Sequence, residues 1–275
     1  MSAEKIEIVE VSPRDGIQNE KHILKMDAKL LLVQHAIAAG ARRIEVTSFV
    51  NPKKVPQMAD AEDLAAMLPR GQARYIGLAL NRRGFDRAVA AKLDEVNFAV
   101  VLSETFSRRN QGMSTEDGIA LWHDVARVAE GQICAGLTLA AAFGCPFEGE
   151  MSVERMMAVL EKALKIMPAE LTLADTIGVA APSDILERVD AVKARWPDLP
   201  LAPAQHSQHR LCQRLGRAAG GCAIVRCFAG RGRRLPLRAA SHRQHLNRGS
   251  GLHAGAGWVR DRLEHRARHR GCPLA

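Results

Sequence analysis

Short apolar runs alternate with longer amphipathic segments along roughly the first 200 residues. Short runs rich in β-branched residues are typical of buried strands, whereas apolar residues at every third or fourth position are typical of helices. The first strand is predicted around Ile6, Ile8, Val9 and Val11, and five more at residues 43–47, 75–80, 96–102, 133–140 and 171–174. Helices are predicted at residues 26–39, 59–68, 84–92, 115–129, 153–166 and 182–194. Six successive β-α units predict a parallel sheet.

Polar residues follow most of the predicted strands, and this distinguishes two ways of arranging the sheet. The clusters are Arg14-Asp15, Thr47-Ser48, Asn81, Ser103-Glu104 and Asp175-Thr176. A barrel collects such residues at the C-terminal ends of its strands. A doubly wound sheet is disfavoured because no glycine-rich dinucleotide fingerprint follows the first strand. The pattern therefore predicts an α/β fold, a TIM (β/α)8 barrel with six intact units and with the last two units disrupted or missing.

The last two units are in question because the composition changes near residue 204. The chain has 275 residues, 47% of them hydrophobic, which suits one barrel. Its net charge of +9 is uneven: residues 204–275 hold 15 Arg, no Lys and two acids, giving +13 and leaving −4 for the rest. The strand and helix periodicity also fails in this segment. We therefore predict a truncated barrel over residues 1–203 and an irregular Arg-rich tail over residues 204–275.

Three groups of residues at predicted strand ends carry candidate chemistry. Arg14 and Asp15, behind the first strand, could hold an oxyanion and a divalent metal; a surface ion pair is the simpler alternative. Glu45, inside the second strand, needs a partner if it is buried, and Arg14 is available. That pair could instead merely join two strands. Asp175 and Thr176 follow the sixth strand, where a helix cap or an Asx-turn is the alternative to a binding role.

Four segments, SPRDGIQNEK, IEVTSFVNPKKVPQMAD, GCPFEG and LADTIGVAAP, together resemble the 3-hydroxy-3-methylglutaryl-CoA lyase family. This family belongs to a metal-dependent barrel superfamily named for its Asp-Arg-Glu signature. The resemblance covers roughly residues 4–200. The Gln18-Asn19-Glu20 continuation is similar to the lyases, whereas the related condensing synthases typically have an acid after the glycine.

The resemblance implies retro-Claisen cleavage of 3-hydroxy-3-methylglutaryl-CoA into acetyl-CoA and acetoacetate, assisted by Mg²⁺ or Mn²⁺. It implies that Asp15 is a metal ligand, that Arg14 stabilises the thioester enolate and that Glu45 orients Arg14. The residues that it implies around the substrate are Arg14, Gln18, Lys21, Ser48, Asp175 and Thr176. The pathway, such as leucine degradation or ketone-body formation, does not follow from the sequence.

Other ligands of the family's site do not occur where the resemblance requires them. The family has a His-x-His pair on strand seven, an Asn after strand eight and a cysteine in a mobile Gly-Gly-Cys-Pro loop. His206 and His209 are three residues apart, so on a strand they would point to opposite faces. Cys145 follows the fifth predicted strand and is not the mobile-loop cysteine.

A shift of one base in the reading frame accounts for this loss. When the codons from residue 202 onward are read one base out of frame, one permitted translation contains the missing histidines, cysteine and asparagine in the family's order. The histidines straddle residues 202–203 and 204–205, the cysteine residues 235–236 and the asparagine residues 244–245. We therefore hypothesise a frameshift near residues 200–203, and we expect little or no lyase activity from the chain as it stands.

Two other functions stay open: a related acyl-CoA condensing or aldolase-type enzyme, and nucleic-acid binding through the basic tail. Against the second, the tail has no Lys and only one Phe and one Trp for base stacking. We expect an acyl-CoA substrate as the partner, with no membrane or nucleic acid. No apolar stretch is long enough to span a membrane and no secretory signal is evident, so a cytoplasmic location is expected. A homo-oligomer is compatible with the sequence.

Overall fold

The structure is a computed structural model that describes residues 7–205 and 224–227. Ten strands are found there: β1 Glu7–Glu10, β2 Arg43–Ser48, β3 Arg74–Ala79, β4 Glu95–Val101, β5 Cys134–Ala140, β6 Gly144–Cys145, β7 Gly149–Glu150, β8 Leu171–Asp175, β9 Leu201–Gln205 and β10 Ile224–Cys227. The same residues form eight α-helices: α1 Asp15–Gln18, α2 Met26–Ala38, α3 Ala61–Met67, α4 Arg82–Ala90, α5 Glu104–Asn110, α6 Thr115–Ala129, α7 Val153–Ala163 and α8 Pro182–Arg195. A 3₁₀ turn spans Pro56–Met58.

Eight parallel strands close into a barrel in the order β1-β10-β9-β8-β5-β4-β3-β2. The predicted TIM barrel with six intact β-α units is confirmed. The sequence predicts that the last two units are disrupted or missing, and the structure shows disruption rather than absence of their strands. β9 and β10 both pair in the sheet, but β10 has only four residues and meets β9 through one pair in register, Arg226 with Ala204.

The central strands are buried on both faces, as expected of a sheet wrapped by helices. All six residues of β2 and all seven of β4 are buried. On the outer face of β4, Phe98 packs against Trp122 of α6 with ring centroids 6.2 Å apart. On the inner face, alternation directs Arg43 and Glu45 of β2 towards the barrel axis. The barrel interior therefore contains two charged side chains from β2, Arg43 at its start and Glu45 two residues later.

The N-terminal end of the barrel contains a buried ion-pair network around Arg43. Its guanidinium contacts Glu95 at 2.6 Å, Glu170 at 2.9 Å and Glu7 at 3.0 Å. Desolvation lowers the pKa of Arg43, but the three carboxylates outweigh it and raise the pKa above its usual value. Three strands and the residue preceding β8 are thus tied together at the end of the barrel opposite the polar strand ends.

Two of the polar residues predicted at strand ends turn out to start helices. The side chain of Asn81 accepts a hydrogen bond from Gly84 N at 2.8 Å and begins α4. Ser103 likewise accepts from Phe106 N at 3.1 Å and begins α5, a helix that the periodicity does not predict. Both are ordinary N-caps that satisfy backbone donors. Within the described residues, no helix is both long enough and apolar enough to cross a membrane.

The histidine pair considered from sequence, His206 and His209, lies outside the described residues. The straddling positions 235–236 and 244–245 lie outside them too. The frameshift therefore stays a hypothesis.

Candidate active site

Arg14 and Asp15 emerge from a tight turn directly after β1. The carbonyl of Val11 accepts hydrogen bonds from the backbone N–H groups of Arg14 at 3.2 Å and Asp15 at 2.8 Å. Asp15 then opens α1, which has only four residues. This turn carries both charged side chains to the C-terminal end of the barrel, where TIM-barrel active sites lie.

The Arg14 guanidinium lies between two carboxylates. Its Nε and Nη2 contact Oε1 of Glu45, and its Nη1 contacts Oδ1 of Asp15 at 2.8 Å. The side chain of Glu45 is 1% exposed, that of Arg14 14% and that of Asp15 21%. Desolvation lowers the pKa of Arg14, but Glu45 and Asp15 outweigh it, so the pKa lies above its usual value. Arg14 is thus a fixed cation, and Asp15 is the more accessible of its two carboxylates.

The end of β2 meets α1 through the predicted residues Ser48 and Gln18. The buried hydroxyl of Ser48 donates to Oε1 of Gln18 over a long 3.4 Å. Lys21 is exposed in the segment between α1 and α2. The structure therefore brings five of the predicted residues together across two adjacent strands: Arg14, Asp15, Gln18, Glu45 and Ser48.

Asp175 and Thr176 lie at the C-terminal end of β8, at the same end of the barrel but three strand positions from β1. The buried carboxylate of Asp175 accepts from Val179 N and Ala180 N, each at 3.0 Å. The hydroxyl of Thr176 accepts from Ala141 N at 2.8 Å. These bonds shape the loops after β8 and β5, which is the loop-forming role weighed as the alternative for Asp175. A substrate-binding role for the two residues stays a prediction.

A polar cluster that the sequence does not predict ties the loops after β4 and β5. Ser103 Oγ lies 2.8 Å from Oε1 of Glu148 and 2.9 Å from Sγ of Cys145. Glu148 also accepts from Thr105 N at 2.6 Å and pairs with Arg155 at 2.7 Å. Desolvation raises the pKa of Glu148, but these partners outweigh it and lower the pKa to about 2. The sequence contains Ser103 and the GCPFEG segment, but nothing in it predicts that they are in contact.

Gln57 is a second residue that sequence reasoning misses. It lies within the KKVPQMAD segment, yet nothing local indicates what its side chain does. In the structure it is buried, and its amide contacts one backbone group in α1 and two in the segment between α1 and α2.

The described residues do not by themselves supply a complete metal site. Among the side chains of residues 7–203, no three His, Cys, Asp or Glu residues converge on one point. Asp15 has the oxygen chemistry that Mg²⁺ and Mn²⁺ prefer, but one carboxylate is not a site for either ion. No chemical step through a metal follows from this part of the chain.

Comparisons with known proteins agree on the relatives of this chain. A protein-family profile described as HMGL-like matches residues 5–219. The (R)-citramalyl-CoA lyase of Chloroflexus aurantiacus is 36% identical over 216 residues, covering 74% of this chain and 68% of that protein. The mitochondrial hydroxymethylglutaryl-CoA lyase of Mus musculus is 37% identical over 207 residues, covering 74% and 64%. This chain thus spans about two thirds of the length of these relatives.

Solved structures give the same result. An HMG-CoA lyase from Acinetobacter baumannii, in complex with coenzyme A and 3-methylmalate, superposes with a TM-score of 0.76 at 31% identity, covering 83% of this chain and 76% of that one. An HMG-CoA lyase from Brucella melitensis also gives 0.76 at 31% identity, covering 82% and 81%.

Proposed function

Because the chain belongs to the HMGL-like family of HMG-CoA lyases, we propose that it descends from a carbon–carbon lyase acting on 3-hydroxy-3-methylglutaryl-CoA and retains part of that enzyme's active site. The products would be acetyl-CoA and acetoacetate. The observation that carries the proposal is the Arg14 guanidinium, held between Glu45 and Asp15 at the C-terminal end of the barrel.

The reaction needs a cation where Arg14 lies. A base removes the proton of the tertiary hydroxyl, the carbonyl of acetoacetate forms, and the bond between C2 and C3 breaks. Its electron pair moves into the thioester as an enolate, which a proton then converts to acetyl-CoA. Contacts with Glu45 and Asp15 use three of the five N–H donors of Arg14, so its two η nitrogens still have donors for the enolate oxygen.

Asp15 is the residue that we propose for a divalent-metal site, with the remaining ligands supplied by the restored reading frame. Mg²⁺ or Mn²⁺ would polarise the substrate oxygens and acidify the tertiary hydroxyl. Gln18, Lys21, Ser48, Asp175 and Thr176 are proposed to line the pocket around the thioester. Their positions after β1, β2 and β8 suit one pocket at this end of the barrel.

The test is a paired measurement of binding and turnover on the purified chain. Binding of 3-hydroxy-3-methylglutaryl-CoA is measured by calorimetry with Mn²⁺ present, and acetoacetate release is measured by coupled absorbance. We expect Arg14→Gln to abolish specific thioester binding. The matched control is Arg195→Gln, since Arg195 is exposed on α8 and pairs with Glu161. Equal binding by the two variants would overturn the proposal.

A second version of the protein separates the frameshift hypothesis from the functional proposal. It is translated from a gene whose frame is restored at residue 202. We expect metal-dependent turnover from the restored protein and little or none from the present chain. Turnover by neither would refute the lyase assignment, whereas equal turnover by both would refute only the need for the restored tail.

Citramalyl-CoA lyase activity is the second candidate, because one relative with that name is 36% identical over 216 residues. Citramalyl-CoA has its carboxylate one carbon closer to the hydroxyl-bearing carbon than 3-hydroxy-3-methylglutaryl-CoA has. The same cleavage therefore releases pyruvate instead of acetoacetate. Assaying both products with both thioesters distinguishes the two candidates directly.

A further inference from the structure

α1 is too short to be a stable helix without contacts to the rest of the protein. A four-residue helix has barely one turn, and short isolated helices are marginal in water. No side chain caps its first turn. Yet this turn carries Asp15 and Gln18 and follows directly on Arg14. Its position must therefore come from contacts with other parts of the barrel.

The side chain of Gln57 supplies such contacts. It is 2% exposed and lies in the 3₁₀ turn that follows β2. Its Oε1 accepts from Leu24 N at 2.9 Å, and its Nε2 donates to the carbonyls of Ile17 at 3.2 Å and His22 at 3.1 Å. The opposite amide orientation would place a donor against an N–H and an oxygen against two carbonyls. One buried amide thus holds both ends of the segment 17–24.

The turn that carries Gln57 is itself held in place by Lys29. Lys29 lies on α2 and is 2% exposed. Its ammonium contacts the main-chain carbonyl oxygen of Gln57 and pairs with Asp60 at 2.7 Å. A buried lysine needs such partners, and here they immobilise the turn that carries Gln57. Lys29 lies 28 residues from Gln57 and 31 from Asp60 in the sequence, so these contacts are tertiary rather than local.

We infer that Gln57 is a positioning residue for the proposed lyase site, a role that rests on the proposed function. It holds the segment 17–24 against the loop after β2, and through that segment it fixes α1 so that Arg14 stays on Glu45 and Asp15 stays at the mouth of the barrel. A buried hydrogen bond that cannot be replaced by water is costly to lose, so removal of the amide releases this segment in preference to the rest of the barrel.

Amide hydrogen exchange on the full chain tests this inference without requiring turnover. We expect Gln57→Leu, which has a similar volume, to speed exchange of residues 17–24 by about tenfold or more, while β4 and β5 are unchanged. Gln57→Glu keeps an acceptor for Leu24 but sets a carboxylate against two carbonyls, so exchange speeds up for residues 18–22 and Leu24 stays protected. The matched control is Gln34→Leu on the exposed face of α2, which should change nothing.

Two hydrogen-exchange results would contradict a positioning role for Gln57. Unchanged exchange in residues 17–24, or a uniform rise across the barrel, would show that Gln57 only fills space. In the restored-frame protein, Gln57→Leu should lower kcat by about tenfold with a smaller change in KM, because positioning acts mainly on the chemical step. Faster exchange with unchanged kcat would overturn the positioning role and leave the lyase assignment intact.

Discussion

The buried pair of Arg14 and Glu45 permits a prediction that stands apart from turnover. Arg14→Met leaves the Glu45 carboxylate, 1% exposed, without its cation. Breaking a buried pair in this way costs about 3–5 kcal/mol of unfolding free energy. Glu45→Gln keeps an acceptor for Arg14, and Asp15 remains beside the guanidinium at 2.8 Å. The cost of this second change should be smaller, about 2 kcal/mol.

The double variant Arg14→Met with Glu45→Met completes the comparison. It removes both charges together and fills the space with side chains that need no partner, so it should be more stable than Arg14→Met alone. Urea unfolding followed by circular dichroism measures all four proteins. At a typical slope of 1–3 kcal/mol per molar urea, a loss of about 3 kcal/mol moves the midpoint by roughly 1–3 M.

The reasoning is refuted if the double variant is no more stable than Arg14→Met alone, since the loss of its cation would then cost the buried Glu45 carboxylate nothing. It is also refuted if Glu45→Gln costs more than Arg14→Met. Either result would mean that Glu45 does not hold Arg14, and the proposed orientation of the enolate-stabilising cation would lose its basis.

Three further predictions concern the ion-pair network at the N-terminal end of the barrel, the loops after β4 and β5, and the coding DNA. Arg43→Ala leaves Glu95 and Glu170 buried without their shared cation, so we expect a loss of about 3–5 kcal/mol by urea unfolding, with thioester binding per folded molecule unchanged. Glu148→Gln should cost about 2 kcal/mol at neutral pH. Because folding lowers the pKa of Glu148 to about 2, this difference should be constant above about pH 5 and shrink as the pH falls towards 2; a difference that grows on acidification would contradict the cause given. Sequencing the coding DNA around residues 200–203 should reveal a one-base insertion or deletion relative to close relatives, and an uninterrupted frame there would end the frameshift hypothesis.

The sequence predicts the barrel well because its strand signal is local. β2 and β4 are continuous buried runs, and their boundaries fall within a residue or two of the prediction. The pairing of Arg14 with Glu45 is also predictable, since a buried glutamate inside a strand needs a cation and Arg14 follows the neighbouring strand. Gln57 is not predictable in this way, because its three bonds span 33 to 40 residues and depend on how two loops meet. β10 is missed because four residues in an Arg-rich context give no recognisable period.

Charge balance links the described half-site to the proposed cofactor. At the N-terminal end of the barrel, Arg43 and Arg74 face Glu7, Glu95 and Glu170, so two cations face three carboxylates. At the C-terminal end, one guanidinium is set between the carboxylates of Glu45 and Asp15, and a further carboxylate, that of the buried Asp175, lies at the end of β8. Buried excess negative charge is costly unless a cation offsets it. The carboxylates at the C-terminal end lie where substrate would enter in the proposed function, whereas the N-terminal network lies at the opposite end of the barrel. A divalent cation held by Asp15, as proposed, would offset part of the negative charge at the C-terminal end.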